Sequence, residues 1–437
     1  LPTEEIFTAP LKTGVNGTVC AALPLRGQEG VWTGKLEVSG TELALVFNLS
    51  DEGATLDVPD QGAKGIAVEV SRDAVGGIEL NIPMISASFK GIYLGKTIVG
   101  TFTQRGMSFP MTLTPGAPVF RRPQTPAGPF PYTTEEVSFS NGDAVLKGTL
   151  TMPADCDRKT PVLVMVTGSG LQNRDEELFG HKPFAVIADA FARAGIATLR
   201  YDDRGFGEST GEVVLCTTED LKNDALAGVK LLRDRFERVG VIGHSEGGTI
   251  ALMLAGERQV DFAVSLAGMI VSGAETLLAQ NRRAFESAGL PESEVEAFAR
   301  LLSDTFTAIR TRAPLPSADN YDITDALRKN YAAALPSFRT PYMEFFLGLD
   351  LSASLSGITC PVMALNGTKD TQVQCDRNIA ALEAGLPSNS RSVIRAEDGL
   401  NHLFQHCVTG EVSEYKSIEE TFSPEVLSEM IAWIKTL

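Results

Sequence analysis

VGVIGHSEGGTIALMLAGE, residues 239–257, decides how the rest of the chain is read. Its first residues suit a buried strand. Gly243-His244-Ser245-Glu246-Gly247 is a very tight turn, and the small-residue run from Thr249 to Ala255 is helical. In a Gly-x-Ser-x-Gly turn the helix folds back so close to the strand that a Cβ two positions either side of the serine would clash. The turn lifts the Ser245 hydroxyl clear of a sheet and aims the free N–H groups of a helix N-terminus at any anion formed nearby. Read blandly, the same residues are a Gly-rich turn with a capping serine. The buried strand before it and the helix after it favour a nucleophile.

Outward from this turn, strands and helices alternate. PVLVMVTG, IATLRYD and FAVSLAG are buried-type strands, and PFAVIADAFARAG and TTEDLKNDALAGVKLLRDRF are helices. Strands apolar on both faces that alternate with helices form a parallel, doubly covered sheet. Ligands of such sheets sit at the carboxyl ends of the strands, where the serine turn lies. Upstream, EEVSFS and AVLKGTLTMP flank Asn141-Gly142-Asp143, a hairpin signal. Residues 272–356 are helical in pattern, and the next strand is CPVMALNG from 360. An all-helical insertion at that point is expected to cap the strand ends, shape a pocket and exclude water. Tyr342, Met343, Phe345 and Phe346 are candidates to face a substrate, against the plainer alternative of packing on the body.

Residues 1–115 read as an all-β domain. Short Val-, Ile-, Thr- and Phe-bearing runs separated by turns suggest a barrel or a sandwich. No convergent chemistry is visible there, and Trp32 alone suits a core better than a sugar-binding platform. The stretch TPGAPVFRRPQTPAGPFP, residues 114–131, carries six prolines and marks the boundary. Residues 116–131 are expected to form a stiff spacer, and 132–437 the catalytic domain. The fold class is therefore α/β: a doubly wound, mostly parallel sheet with a helical cap insertion, preceded by a small all-β domain.

A chain of 437 residues suggests two or three domains. Its apolar and charged fractions, 43% and 21%, are those of a globular protein. The net charge of −17, spread rather than clustered, argues against nucleic acid or an anionic membrane as partner. No apolar run reaches the roughly 18–20 residues of a membrane span. Because the chain opens on Leu1, an exported product with its signal removed is expected, with a cytoplasmic one as the alternative. The six cysteines lack C-x-x-C spacing and the four histidines lack H-E-x-x-H, so neither a metal nor a cofactor is expected.

A serine nucleophile needs a base, and the base needs an orienting acid. Of the histidines, His244 points away from Ser245 by strand geometry, and His181 sits in a loop before a helix. His402, in GLNHLFQ after the apolar run RSVIRA, is preferred over His406 one turn further on, because the loop directly after the last strand can reach the serine. Asp370, ending MALNGTKD with Gly367 to allow the turn, is the acid. Glu397 and Asp398 read as solvated. The first oxyanion donor is the N–H of Glu246. The second is that of Ser169, or alternatively Gly170, in the Gly168-Ser169-Gly170 loop. That loop lacks the lysine of a P-loop and the spacing of a dinucleotide fingerprint.

GSGLQNRDE, GHKPFAVIADAFARAGIATLRYDDRGFGES, GHSEGG, NGTKDTQV and LNHLFQ together resemble the bacterial α/β-hydrolase carboxylesterases that carry an N-terminal β domain. The resemblance runs from about residue 132 to the end and extends to dienelactone-hydrolase-like and prolyl-oligopeptidase-like enzymes. It implies a Ser-His-Asp esterase of short acyl, aryl or cinnamoyl esters, with Ser245, Asp370 and His402 in the order of that fold. Peptidases of similar fold usually have an aromatic residue after the nucleophile, where this chain has Glu246. An exopeptidase or acyltransferase on the same triad is the alternative. The partner expected is a small ester, with further copies of the chain as an open option. Arg174, Asp175, Asp202, Asp203 and Arg204 are expected to brace loops. Cys375 and Cys407, each five residues past a triad position, would be close enough for a disulfide if Asp370 and His402 touch, against the commoner outcome of free buried thiols.

Overall fold

The computed structural model describes residues 29–437 apart from 39–40, 51–52, 60–62, 74–75, 105–106, 118–120 and 353. They divide into two compact units, one running to residue 57 and from 64 to 118, the other comprising 58–63 and the chain from 119 onward.

In the first unit, eight strands follow one another along the chain: β1 (Gly30–Val38), β2 (Thr41–Ser50), β3 (Gly53–Val58), β4 (Ala63–Arg72), β5 (Gly77–Ile82), β6 (Ala87–Tyr93), β7 (Ile98–Gln104) and β8 (Met107–Pro115). They close into a barrel in sequence order, β1 meeting β8 through the pairs Trp32–Pro115 and Thr33–Thr114. Of the two all-β options the chain takes the barrel, which leaves no unpaired edge. Alternate residues point inward, so Phe47, Leu56, Leu80, Phe89, Phe102 and Leu113 are buried. Trp32 belongs to this core, edge-on to Tyr93 at 5.9 Å.

The second unit opens with a hairpin, β9 (Tyr132–Asn141) and β10 (Ala144–Pro153), turning through Gly142-Asp143. Then follow β11 (Val162–Val166), α1 (Pro183–Arg193), β12 (Ala197–Tyr201), α2 (Thr218–Arg233), β13 (Val239–His244), α3 (Glu246–Gly256) and β14 (Ala263–Leu266). Four cap helices intervene: α4 (Gly273–Ser287), α5 (Glu292–Thr311), α6 (Asp325–Phe338) and α7 (Pro341–Gly348). The sheet resumes with β15 (Val362–Gly367), α8 (Cys375–Gly385) and β16 (Val393–Glu397), and the chain ends in α9 (Val412–Tyr415) and α10 (Pro424–Ile434).

The sheet order is β16-β15-β14-β13-β11-β12-β10-β9. Strands β11 to β16 are mutually parallel, and β10 runs against both neighbours. Apolar residues on both faces of each strand serve two cores. Val162, Val164 and Val166 of β11 pack with α2 and α3, while Leu163 and Met165 pack with α1 and α10. From β11 the chain winds outward to β12, then crosses back to β13 on the other side. The crevice of this doubly wound sheet therefore opens at the carboxyl ends of β11 and β13. The cap helices hold a core of their own around Phe298, Leu301, Leu302, Phe306 and Leu347. A Ser272–Glu275 capping box starts the first of them. Among the described residues no helix is long and apolar enough to cross a membrane.

The proline-rich segment departs from the spacer expectation. Arg122 donates to the carbonyls of Phe179 (2.7 Å), Lys416 (3.0 Å) and Ile418 (2.9 Å), and Gln124 donates to that of Phe422 (2.7 Å). A guanidinium offers five donors in a fixed fork, enough to satisfy several loop carbonyls at once. The segment is thereby strapped to the second unit rather than stretched free of it.

Candidate active site

Ser245 follows the last residue of β13 and precedes the first of α3, with φ 53° and ψ −119°. A side chain at positive φ is strained, and close packing on both sides enforces it here. A Cβ on Gly243 would lie 2.0 Å from the Gly247 carbonyl, and one on Gly247 would lie 2.0 Å from the Val166 carbonyl. The turn also places Glu246 at the head of α3, where its N–H has no acceptor within the helix.

The other ends of the crevice bring Asp370 and His402 together. Asp370 Oδ2 lies 2.7 Å from His402 Nδ1 and also accepts from Asn366 Nδ2 (3.0 Å). Its Oδ1 accepts from the amides of Gln372 (2.8 Å) and Val373 (2.9 Å). A carboxylate so saturated is fixed in place, and its hydrogen bond to Nδ1–H leaves Nε2 as the open nitrogen of His402. Gly367 is needed here for close approach rather than for a left-handed turn, since a Cβ would stand 2.2 Å from the Leu400 carbonyl. Ser245 and His402 line one cavity of ≈ 420 Å³, although no hydrogen bond joins them among the described residues. The remaining alternatives are held by other partners, although His181 lines the same cavity. His406 is exposed on Glu420, Glu397 pairs with Arg395, and Asp398 accepts from Thr368. His181 is fully buried between Thr421 Oγ1 (2.9 Å) and the Tyr415 carbonyl (3.0 Å).

Gly168, Ser169 and Gly170 line the same cavity. The N–H of Gly168 is committed to Glu176 Oε1 (2.8 Å), which leaves Ser169 and Gly170 as the loop's candidate donors. Acidic side chains staple the loop. Asp203 accepts from Thr167 Oγ1 (2.9 Å) and the Gln172 amide (2.8 Å), and Asp202 accepts from the Arg174 amide (2.8 Å) and guanidinium. Burial, reinforced by the nearby charges of Glu176 and Glu246, pushes the Asp203 carboxyl up to about 8. Arg204 pairs with buried Asp224 at 2.6 Å, and Arg200 pairs with Asp175. These charged residues brace one another.

Two residues at the site, Glu176 and Thr218, escaped sequence reasoning, and Tyr342, named there as a candidate to face a substrate, makes a different contact. Glu176, buried and at φ 53°, meets His244 Nδ1 at 3.0 Å. Thr218 Oγ1 donates to Glu246 Oε1 (2.6 Å), and the Tyr342 hydroxyl donates to Oε2 (2.5 Å) and contacts Ser169. Burial and the Glu246 charge raise the Tyr342 pKa. Of the two readings of the cap aromatics, packing on the body is the one that Tyr342 and Phe346 of the cap take. Residues of the cap do not line the ≈ 420 Å³ cavity, which is walled by residues of the 168–183 segment and by Gln372, His402 and Leu403. The cap reaches the turn through Tyr342, while Phe346 packs with Met269 and Val373. Cys375 and Cys407 are free thiols, bonded to the carbonyls of Asn366 and Gly399, and no bridge links them. Cys20 lies outside the described residues. Among the described residues no group of three or more His, Cys, Asp or Glu side chains could hold a metal ion.

Residues 182–404, just over half of the chain, match the family model described as serine aminopeptidase, S33. The chain is 27% identical over 264 residues to esterase EstD of Thermotoga maritima, covering 59% of this chain and only 58% of that relative. Similar solved structures include an esterase of Pyrococcus furiosus, with TM-score 0.46 and 18% identity over 74% of this chain and 98% of that one. Another is Est1E of Butyrivibrio proteoclasticus with ferulic acid bound, with TM-score 0.41 and 18% identity over 68% and 99%. A third is a proline iminopeptidase of Mycobacterium smegmatis, with TM-score 0.44 and 16% identity over 69% and 98%.

Proposed function

Because the chain belongs to the serine aminopeptidase, S33, family of α/β-hydrolases, we propose that it is a serine carboxylesterase acting on short acyl, aryl or cinnamoyl-type esters. The observation that carries this reading is the 2.7 Å pairing of His402 with buried Asp370 beside the cavity that Ser245 lines. The likeness to the Thermotoga maritima esterase supports an ester over other acyl substrates.

In this mechanism Ser245 Oγ attacks the ester carbonyl while His402 Nε2 takes its proton. Asp370 holds the imidazole in the tautomer that leaves Nε2 free and steadies the imidazolium that forms. The tetrahedral oxyanion accepts from the N–H of Glu246 and from that of Ser169 or Gly170. His402 returns the proton to the departing alkoxide. Water, deprotonated by the same imidazole, then cleaves the acyl-enzyme and regenerates Ser245. No metal or cofactor enters these steps.

The family's description keeps an exopeptidase on the same residues as the second reading. Hydrolysis of p-nitrophenyl acetate and of an aminoacyl-anilide, measured side by side, separates the two. Turnover of the acetate that disappears in Ser245→Ala is the expected result. Activity confined to the anilide, or full esterase activity in Ser245→Ala, would overturn the proposal.

A further inference from the structure

His244 is the residue before Ser245, and its ring is buried with an acceptor on each side. Nδ1 faces Glu176 Oε1 at 3.0 Å, and Nε2 faces the main-chain carbonyl of His402 at 2.9 Å. A carbonyl never donates and an ionised carboxylate only accepts, so with Glu176 ionised both hydrogen bonds are made only when both ring nitrogens carry protons. The ring is then an imidazolium and Glu176 its counter-ion. The surroundings agree. Burial alone would lower the His244 pKa, but the charge and hydrogen bond of Glu176 and the bond to the His402 carbonyl outweigh it, and the pKa lies above the usual value. The same Glu176 oxygen accepts the Gly168 N–H at 2.8 Å, and a Cβ on Gly168 would lie 3.2 Å from that of Ser245. The rings of His244 and His402 stand 4.7 Å apart.

These contacts make one continuous connection, from Gly168 through Glu176 and His244 to the backbone of His402. It passes directly behind the nucleophile and joins the Gly168–Gly170 loop to the His402 loop. We propose that the Glu176–His244 ion pair is a positioning device that holds the Gly168–Gly170 loop and the His402 loop at fixed stations on either side of Ser245. The pair touches no reacting atom. It acts by keeping the oxyanion donors and the base in register with Ser245 Oγ, and misplacement by about 1 Å can cost ~100-fold in rate. The proposal rests on the assignment of Ser245 and His402 under Proposed function.

The test compares Glu176→Gln, His244→Asn and the double variant with the wild type on p-nitrophenyl acetate. Rates are taken per active site, counted by titration with a fluorophosphonate, so that misfolded protein does not enter. Each single variant leaves one buried partner without its mate and is expected to be destabilised. The double variant buries no charge at these positions and keeps the comparison available if the singles do not fold. For a positioning role, kcat is expected to fall ~10- to 100-fold with KM within about twofold. The double variant should be no worse than the poorer single variant, since one connection can be broken only once. A double variant that keeps kcat within twofold of the wild type, or effects of the singles that simply multiply, would overturn the proposal. A wild type that neither turns over the ester nor takes up the fluorophosphonate would instead overturn the esterase reading.

Discussion

The carboxylate of Asp370 accepts two backbone amides, one side-chain amide and the His402 ring. Asp370→Asn keeps the shape but offers a donor where the ring needs an acceptor, which favours the wrong imidazole tautomer. Its kcat on p-nitrophenyl acetate should drop by ~10³–10⁴ with little change in KM, as steady-state kinetics will show. The glycines of the serine turn make a different demand. With carbonyl oxygens 2.0 Å from the would-be Cβ at Gly243 and at Gly247, alanine at either position must move backbone. A loss of about 3 kcal/mol is expected in urea unfolding, well above the cost of an ordinary surface change. The requirement at these two positions was readable from spacing alone, because a Gly-x-Ser-x-Gly turn has one tight geometry. The role of Glu176 was not readable. It lies 68 positions from His244, and nothing local marks it.

At the level of elements, contacts made by single side chains hold helices and loops to the sheet. Tyr342 of α7 meets Glu246 at the head of α3, leaving that buried carboxylate with two hydroxyl donors. Tyr342→Phe removes one of them and should cost about 1–3 kcal/mol, read as a lower Tm. His181 joins the loop before α1 to the C-terminal segment, and its burial depresses the pKa to about 4. The folded form therefore wants the ring neutral, while the unfolded chain binds a proton from about 6.5 downward. The stability that comes from this difference is complete above pH 6.5 and is lost as pH falls from there through about 4. A Tm series over that interval should fall more steeply for the wild type than for His181→Gln. Helices and strands were legible because their apolar periodicity is local. The work of the cap was not, since Tyr342 reaches Glu246 across 96 positions and only packing decides which aromatic of YMEFF does so.

On the scale of the whole chain, the barrel and the hydrolase sheet each have their own buried core. Calorimetry should resolve more than one cooperative transition. Phe89→Ala, in the barrel, and Trp433→Ala, on α10, should each lower a different one by about 3–5 kcal/mol. The order Ser245, Asp370, His402 was visible in the sequence because each residue follows a predicted strand. The closure of the barrel and the strapping of Arg122 to three carbonyls were not. Many alternating strands suit barrel and sandwich equally, and a proline-rich stretch reads as a spacer whether or not an arginine in it finds carbonyls.

The φ of 53° at Ser245 has one more consequence. The side chain on which the proposed chemistry depends is one that its own backbone disfavours, so this position sets catalysis against robustness. Glycine would relax the turn and end the reaction in the same step. Ser245→Gly should therefore yield an inert protein that melts higher than the active one, by about 1 kcal/mol. Loss of function at this residue would come with greater thermal endurance, and the active enzyme is the less durable of the two.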